Sequence, residues 1–465
     1  MPESAADWRA RAVPWLVAAA FFMENLDATA ITTSLPQMAA SFGTGPEHLS
    51  VGLSAYLVAL AAFIPASGWL ADRFGPRRVF GAAIAVFTLA SVLCALSGSL
   101  AAFTAARILQ GMGGALMVPV GRLVVLRGTP KEGLVRAIAT ITWPGLAAPI
   151  IGPALGGLIT ATWSWHWIFL VNVPLGVLLL AAAFIVIPAE GAAPRPFDLP
   201  GFIASALACT LLMVGVELPG HGRWGAAAAA LLAGGALLWW CARHFRRSAA
   251  PLMDLRPLAI RTFAVTVRGG SLSRIAIGSA PFLLPLMLQL AFGLPGTTAG
   301  LLLLALFAGN LAMKPGTGWV MRRFGLRAVL VWNGVLLAAG FGACALLRAD
   351  TPLPLVAAVL FFCGLCRSMQ FTALNTLAFA NVPSAQMSGA STLFSVLAQV
   401  NAGLGIAAAA LLLKLGELAG WGGGSPLTFR VALLAMGAVA LAGVADSLRL
   451  PADAGAQVSG QAATR

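Results

Sequence analysis

GWLADRFGPRRVF, Gly68–Phe80, is answered 250 residues later by GWVMRRFGLRAVL, Gly318–Leu330. Gly68, Trp69, Arg73, Phe74, Gly75, Arg77 and Val79 recur as Gly318, Trp319, Arg323, Phe324, Gly325, Arg327 and Val329. Each copy is a short arginine-rich turn between two long apolar runs. A basic turn repeated between hydrophobic spans predicts two homologous halves in a membrane-spanning chain.

Composition agrees with that class. Of 465 residues, 59% are apolar and 9% charged, with a mean hydropathy of +0.90. An average soluble domain is about 25% charged. So few polar side chains cannot cover the apolar ones, and the chain needs lipid as solvent. The runs between charges are about 20 residues, long enough for a helix to cross a hydrocarbon core of ~30 Å. Alternating segments of about ten residues, the mark of a barrel, are missing, which predicts an all-α polytopic protein.

The net charge is +14, yet its placement argues against nucleic acid as a partner. Apart from Lys131, Lys314 and Lys414 the basic residues are Arg, and most sit in every second loop. That alternation is the positive-inside pattern rather than a binding patch. Cys94, Cys209, Cys241, Cys344, Cys363 and Cys366 fall in or at the ends of apolar runs. They read as small packing residues, and no metal site is expected. The run after Arg11 carries Glu24 and Asp27 and lacks a processing site, so it reads as a first span and not a cleavable leader.

Taken in order, the chain divides into fourteen spans arranged six, two, six. The expected boundaries are 1–187 for an N-terminal six-helix bundle and 188–261 for two additional spans with cytoplasmic linkers. A C-terminal six-helix bundle covers 262–450, and a disordered cytoplasmic tail 451–465. Loop Gln37–Ser50 holds no Lys or Arg, whereas Arg73–Arg78 and the stretch from Arg243 to Arg261 are basic. Both termini are therefore expected in the cytoplasm. WSWHW, Trp163–Trp167, reads as a set of interfacial aromatics on the outer side.

An ionisable side chain inside a span costs roughly 2.5–3.5 kcal/mol at mid-helix, so it is a functional candidate by default. Glu24 and Asp27 lie at i and i+3, on one helical face. Asp27 falls about 10 Å below the outer end of span one, and Arg107 at a similar depth in span four. The two can pair if their helices are neighbours, and a carboxyl that alternates between an arginine and burial can load and release a proton. A fixed ion pair that holds helices together is the alternative. Gly145, Gly152, Pro153, Gly156 and Gly157 give span five a bare face for close helix packing. In the first basic turn Asp72 stands beside Arg73; in the second its place is taken by Arg322.

The C-terminal half carries Arg274, Lys314 and Arg367 within its spans, with no acid beside them in sequence. Together with Gln110 and Gln289 they are the candidate cavity residues, although Arg274 and Lys314 could instead snorkel to the headgroups. No G-x-x-x-x-G-K-[ST] loop is present, so ATP is not an expected energy source. H-E-x-x-H and G-x-S-x-G are absent as well, and no enzyme activity is expected.

Several of these stretches resemble motifs of the major facilitator superfamily. Gly68-x-Leu70-Ala71-Asp72-Arg73-x-Gly75 with Arg77 and Arg78 is similar to its loop 2–3 motif. Arg107-x-x-Gln110-Gly111 is similar to its span-four motif, and Gly152-Pro153-x-x-Gly156-Gly157 to the span-five motif of proton-driven antiporters. Leu26-Asp27-x-Thr29, Leu35-Pro36, and the run from Trp165 to Pro174 resemble the fourteen-span drug:proton antiporter branch. Thr32 and Pro76 depart from the usual pattern of that branch.

The resemblance implies two six-helix bundles plus two extra helices, in a bacterial inner membrane. It implies a drug:proton antiporter that exports small lipophilic or cationic compounds by alternating access. Its partners would be the substrate, protons and the lipid bilayer, with the proton gradient as the driving force and no cofactor. Asp27, Glu24 and Arg107 would couple protons. The hinge residues Gly68, Asp72, Arg73, Gly75, Arg77 and Arg78 would gate the cytoplasmic side. Export of an anionic metabolite, such as a carboxylate or its metal chelate, is the alternative. A membrane receptor or scaffold is a third reading.

Overall fold

The computed structural model describes residues 5–44, 49–189, 196–422, 424–451 and 453–459. Among them every regular element is helical. The chain begins with α1 (Ala5–Ala30), α2 (Leu35–Phe42), α3 (Ser50–Phe63), α4 (Ser67–Phe74), α5 (Pro76–Ala95) and α6 (Leu100–Gly128). It continues through α7 (Leu134–Thr142), α8 (Pro144–Thr162), α9 (His166–Leu170), α10 (Asn172–Val186), α11 (Leu199–Glu217) and α12 (Trp224–Arg247). The remainder is α13 (Arg261–Val267), α14 (Gly269–Leu286), α15 (Gly296–Ala312), α16 (Lys314–Phe324), α17 (Leu326–Leu346), α18 (Leu353–Ala380), α19 (Met387–Leu418), α20 (Pro426–Ser447) and α21 (Ala456–Ser459).

Breaks inside the spans have local causes. α3 and α4 are separated by a short turn, Ile64–Ala66, that contains Pro65. Span five divides into α7 and α8 at Trp143, where Pro144 supplies no N–H to continue the ladder. α15 and α16 meet at a 49° bend, where Pro315 supplies no N–H to continue the ladder. Among the described residues eleven helices are long and apolar enough to cross a membrane, and the bent pair makes twelve. The two remaining expected spans fall on α1 and α8, with 26 and 19 residues. The helices are thus compatible with fourteen spans.

The chain separates into two compact units. The first comprises Met1–Pro130, Thr140–Leu255 and Pro383–Val396, so the start of α19 groups with it. Here α6 is central, packed on α5 and α3, while α1 pairs with α8 and α10 with α5. The most apolar window of α6 is 67% buried in the protein and that of α12 only 17%. α6 is thus a core helix, and α12 leaves most of its apolar surface for lipid. α12 packs on α11, which docks against α3.

At one end of that pair, Asp198 caps α11 and accepts from the backbone N–H groups of Gly201 and Leu252 and from His244 Nε2 at 2.9 Å. Burial would raise its carboxyl. The His244 bond, the two backbone donors and the imidazole charge outweigh that and hold it below the usual carboxylate range.

One aromatic expectation is corrected in the stretch Trp163–Trp167. Trp163 and Trp167 are exposed, but Trp165 is 1% exposed. Its indole Nε1 donates to Ser41 and its ring packs with Phe42 and Phe169. A large ring with its one donor satisfied belongs in a core as readily as at an interface.

The second unit comprises Lys131–Ala139, Arg256–Val382 and Leu397–Arg465. α15 pairs with α18 and α17 with α20, around a core that includes Leu283, Leu306, Phe341, Leu360 and Leu433. The expected disordered tail is corrected in part. Leu450, Ala454 and Val458 are buried, and α21 packs by the turn Lys131–Gly133, where Lys131 Nζ donates to Gln457. Apolar residues at a spacing of four give this segment a face to bury. Residues 460–465 lie outside the described residues.

Candidate functional site

α6 is started by Ser99, whose hydroxyl accepts from the Ala102 N–H, and two turns later it delivers Arg107 into the core of the first unit. Arg107 and Asp27 of α1 are each 1% exposed, with Nη1 and Oδ2 2.7 Å apart. Gln110 lies one turn further along α6. Its Oε1 accepts from Arg107, and its Nε2 donates to Asp27 Oδ1 at 2.9 Å and to Ser91 of α5 at 2.9 Å. Asn172, at the start of α10, donates to the same Oδ1 at 2.7 Å. The carboxylate therefore takes three donors from two helices besides its own. Buried charges survive only when paired and hydrogen-bonded in this way.

Glu24, one turn deeper and 5% exposed, is treated differently. The Tyr56 hydroxyl of α3 lies beside its carboxyl, while its Oε2 finds no partner among the described residues. The Tyr56 ring lies 4.3 Å from the Arg107 guanidinium, a cation–π contact. The two acids and the arginine that the sequence singles out are thus brought together. Tyr56, Ser91 and Asn172 were not singled out. The signals were present: Tyr56 is the one tyrosine of the chain, and Asn172 interrupts an apolar span.

Arg122 was also passed over, although it lies in span four. Its Nη1 donates to Ser395 at 2.9 Å and its guanidinium lies 4.8 Å from the Phe394 ring. Span-five glycines do what a bare face allows. A Cβ at Gly152 would collide with Thr29 of α1, and one at Gly156 with the Ala30 carbonyl. Gly145 faces Asn25, while Gly157 faces open space and Pro153 is partly buried. α8 therefore rests on the helix that carries both acids.

In the first hinge Gly68 is covered by Ser388 and Thr392, and Ser388 Oγ donates to the Gly68 carbonyl at 3.0 Å. Asp72 pairs with Arg127 of α6 at 3.4 Å. Arg77 reaches the Phe184 ring, while Arg73 and Arg78 are exposed. Gly75 adopts φ 85°, a conformation that side chains resist.

In the second unit Arg274 donates to the Thr266 carbonyl and to Asn375, and Lys314 Nζ donates to Thr372 at 2.9 Å. Arg367 lines a small cavity with Leu284, Leu306, Phe341, Cys344 and Cys363. Its Nε and Nη1 find no hydrogen-bond partner among the described residues. Gln289 is exposed, in a π-helical turn after α14, apart from that cavity lining. Cys363 approaches Cys344 at 3.6 Å. No group of three or more metal-ligating side chains occurs among the described residues.

Ionisable groups buried in the spans of a multi-pass helical chain mark a functional site, and the pattern fits a membrane transporter. The chain belongs to the Major Facilitator Superfamily, whose model matches residues 17–242 and 266–460. Among its curated relatives, a protein of Pectobacterium carotovorum subsp. carotovorum is 37% identical over 403 residues, covering 86% of each chain. A protein of Salmonella paratyphi B is 38% identical over 405 residues, covering 86% of this chain and 85% of its own. Both carry the provisional name multidrug resistance protein MdtD. The fold is similar to that of the proton:xylose symporter XylE, with a TM-score of 0.64, 13% identity and coverage of 94% and 95% of the two chains. It is similar also to the human organic anion transporter MFSD10, with a TM-score of 0.63, 16% identity and coverage of 93% and 99%.

Proposed function

We propose that this transporter is a proton-coupled exporter of small lipophilic or cationic compounds. It works by alternating access in a bacterial inner membrane, with both termini in the cytoplasm and the proton gradient as its energy source. The names of the MdtD relatives support the substrate class. The observation that carries the coupling is the pair of buried carboxyls one turn apart, one saturated by donors and the other with an unmatched oxygen.

A negative charge on Glu24 is buried beside that of Asp27, and its Oε2 has nothing to accept from, which is costly. A proton on Glu24 removes the charge. Protonation of Asp27 ends its charge-assisted bond to Arg107 and weakens the grip of Gln110 and Asn172. α1, α6 and α10 are then free to rearrange. Proton loading at one acid and ion-pair exchange at the other form one coupled titration. The hinge around Gly68–Arg78 gates the cytoplasmic side, with the Asp72–Arg127 pair as its charged clasp.

Purified protein in liposomes tests this with an imposed proton gradient and a panel of lipophilic cations. Gradient-driven accumulation that is lost in both Asp27→Asn and Glu24→Gln is the expected result. Wild-type coupling in both variants overturns the proposal.

A second reading, export of an anionic metabolite, is favoured by one observation. Arg367 presents to an apolar cavity two donors that find no hydrogen-bond partner among the described residues. Carboxylates that drive proton flux, with loss of that flux in Arg367→Gln, would select it.

A further inference from the structure

We infer that Tyr56 is a positioning residue that ties Glu24 to the Asp27–Arg107 pair, so that the two acids titrate as one device. The inference rests on the proton-coupling reading above.

Phenylalanine would fill an apolar span as well as tyrosine does, so the buried hydroxyl needs a reason. It lies beside the Glu24 carboxyl, both groups facing Gly114, and the ring that carries it lies 4.3 Å from the Arg107 guanidinium. One side chain thus meets the proton-loading acid with its tip and the partner of the other acid with its face. The α6 surface is shaped to admit it. Arg107, Gly111 and Gly114 fall at i, i+4 and i+7, on one helical stripe. A Cβ at Gly111 would press on the Tyr56 carbonyl, and a Cβ at Gly114 would stand 3.2 Å from both Glu24 Oε1 and Tyr56 Oη.

The charged and titratable groups around Glu24 are few. Asp27 comes from its own helix, Tyr56 from α3 and Arg107 from α6, with Cys94 of α5 beyond them beside Gln110. α10 contributes the neutral Asn172, and α8 contains no titratable residue. Toward a carboxylate the hydroxyl can act only as a donor. It therefore favours the charged form of Glu24, while the ring holds Arg107 against drifting from Asp27.

The test is Tyr56→Phe, which keeps the ring and removes the hydroxyl. Gradient-driven transport is measured in liposomes across a pH series. The expected result is a half-maximal pH moved upward by about 0.4–1 pH unit, the equivalent of one net hydrogen bond, with protein amount in the membrane unchanged. Gly114→Ala crowds both groups and should move the profile in the same direction. It takes the place of Tyr56→Phe if that variant does not reach the membrane. A profile that superimposes on the parent, while Glu24→Gln alters it, overturns the role of Tyr56 and leaves the coupling reading intact. If Glu24→Gln and Asp27→Asn also superimpose on the parent, the coupling reading itself fails.

Discussion

The two hinges share a backbone and differ in nearly everything attached to it. Gly75 and Gly325 have φ of 85° and 79° and ψ of 138° and 153°, each between a helix that ends and one that begins. Trp69 and Phe74 meet edge to face at 6.0 Å, and Trp319 and Phe324 repeat the arrangement at 6.3 Å. The first copy carries Asp72 on Arg127, Trp69 on the Pro196 carbonyl and Ser388 on Gly68. In the second, Arg322 replaces the acid, Gly318 faces Arg322 and Val135, and Trp319 is 60% exposed. A turn whose shape is set by one glycine can be duplicated and keep that shape, while its side chains are free to take different work.

The interiors diverge in the same way. The first unit buries an acid against an arginine, whereas in the second Arg274 donates to a carbonyl and an amide, Lys314 to a hydroxyl, and Arg367 lines a cavity. The strongest way to break this contrast is Asp27→Asn set beside Arg367→Gln. Asp27→Asn should reduce gradient-driven accumulation to the background of empty liposomes, because the charge change is gone. Arg367→Gln should keep coupling and alter at most which substrates are moved. The reverse pattern would place the proton site in the second unit.

Next in size are Gly75→Ala and Gly325→Ala. Each forces a side chain into a backbone region that costs on the order of 1–3 kcal/mol, and thermal unfolding in detergent should show similar losses for the two. Unequal losses would mean that the hinges are not backbone equivalents. Asp72→Asn and Arg322→Gln sharpen the contrast at the level of side chains. Asp72→Asn should slow transport several-fold with the folded amount in the membrane unchanged, and Arg322→Gln should leave the rate near that of the parent. Equal rates for both variants would reduce the first hinge to a topogenic basic turn.

The smallest effect is expected outside both hinges. Asp198→Ala removes a helix cap and should cost about 1 kcal/mol. The folded carboxyl is held below its usual range, so its contribution is complete above about pH 4 and fades as the pH falls through the folded value. The stability gap between parent and variant should be present at neutral pH and close on acidification. A gap that grows in acid would mean that His244 is not the partner that holds it.

Sequence alone determined the class of this protein. A chain with 9% charged residues must use lipid as its solvent, and a repeated arginine-rich turn between apolar runs marks two halves whatever their side chains do later. It also isolated Glu24, Asp27 and Arg107, because an ionisable residue in an apolar span is conspicuous by its cost. Tertiary structure decided their relations. That Asp27 takes Gln110 and Asn172 as well as Arg107, that Tyr56 joins Glu24 to Arg107, and that Arg122 meets Ser395 all depend on which helix faces which. Trp165 buried between exposed Trp163 and Trp167, and Ala454 and Val458 buried in an expected tail, are of the same kind. In a membrane chain nearly every helix is apolar all round, so no stripe on the sequence tells a lipid-facing side from a protein-facing one. Periodicity that orients helices in soluble proteins is silent there, and packing supplies the answer.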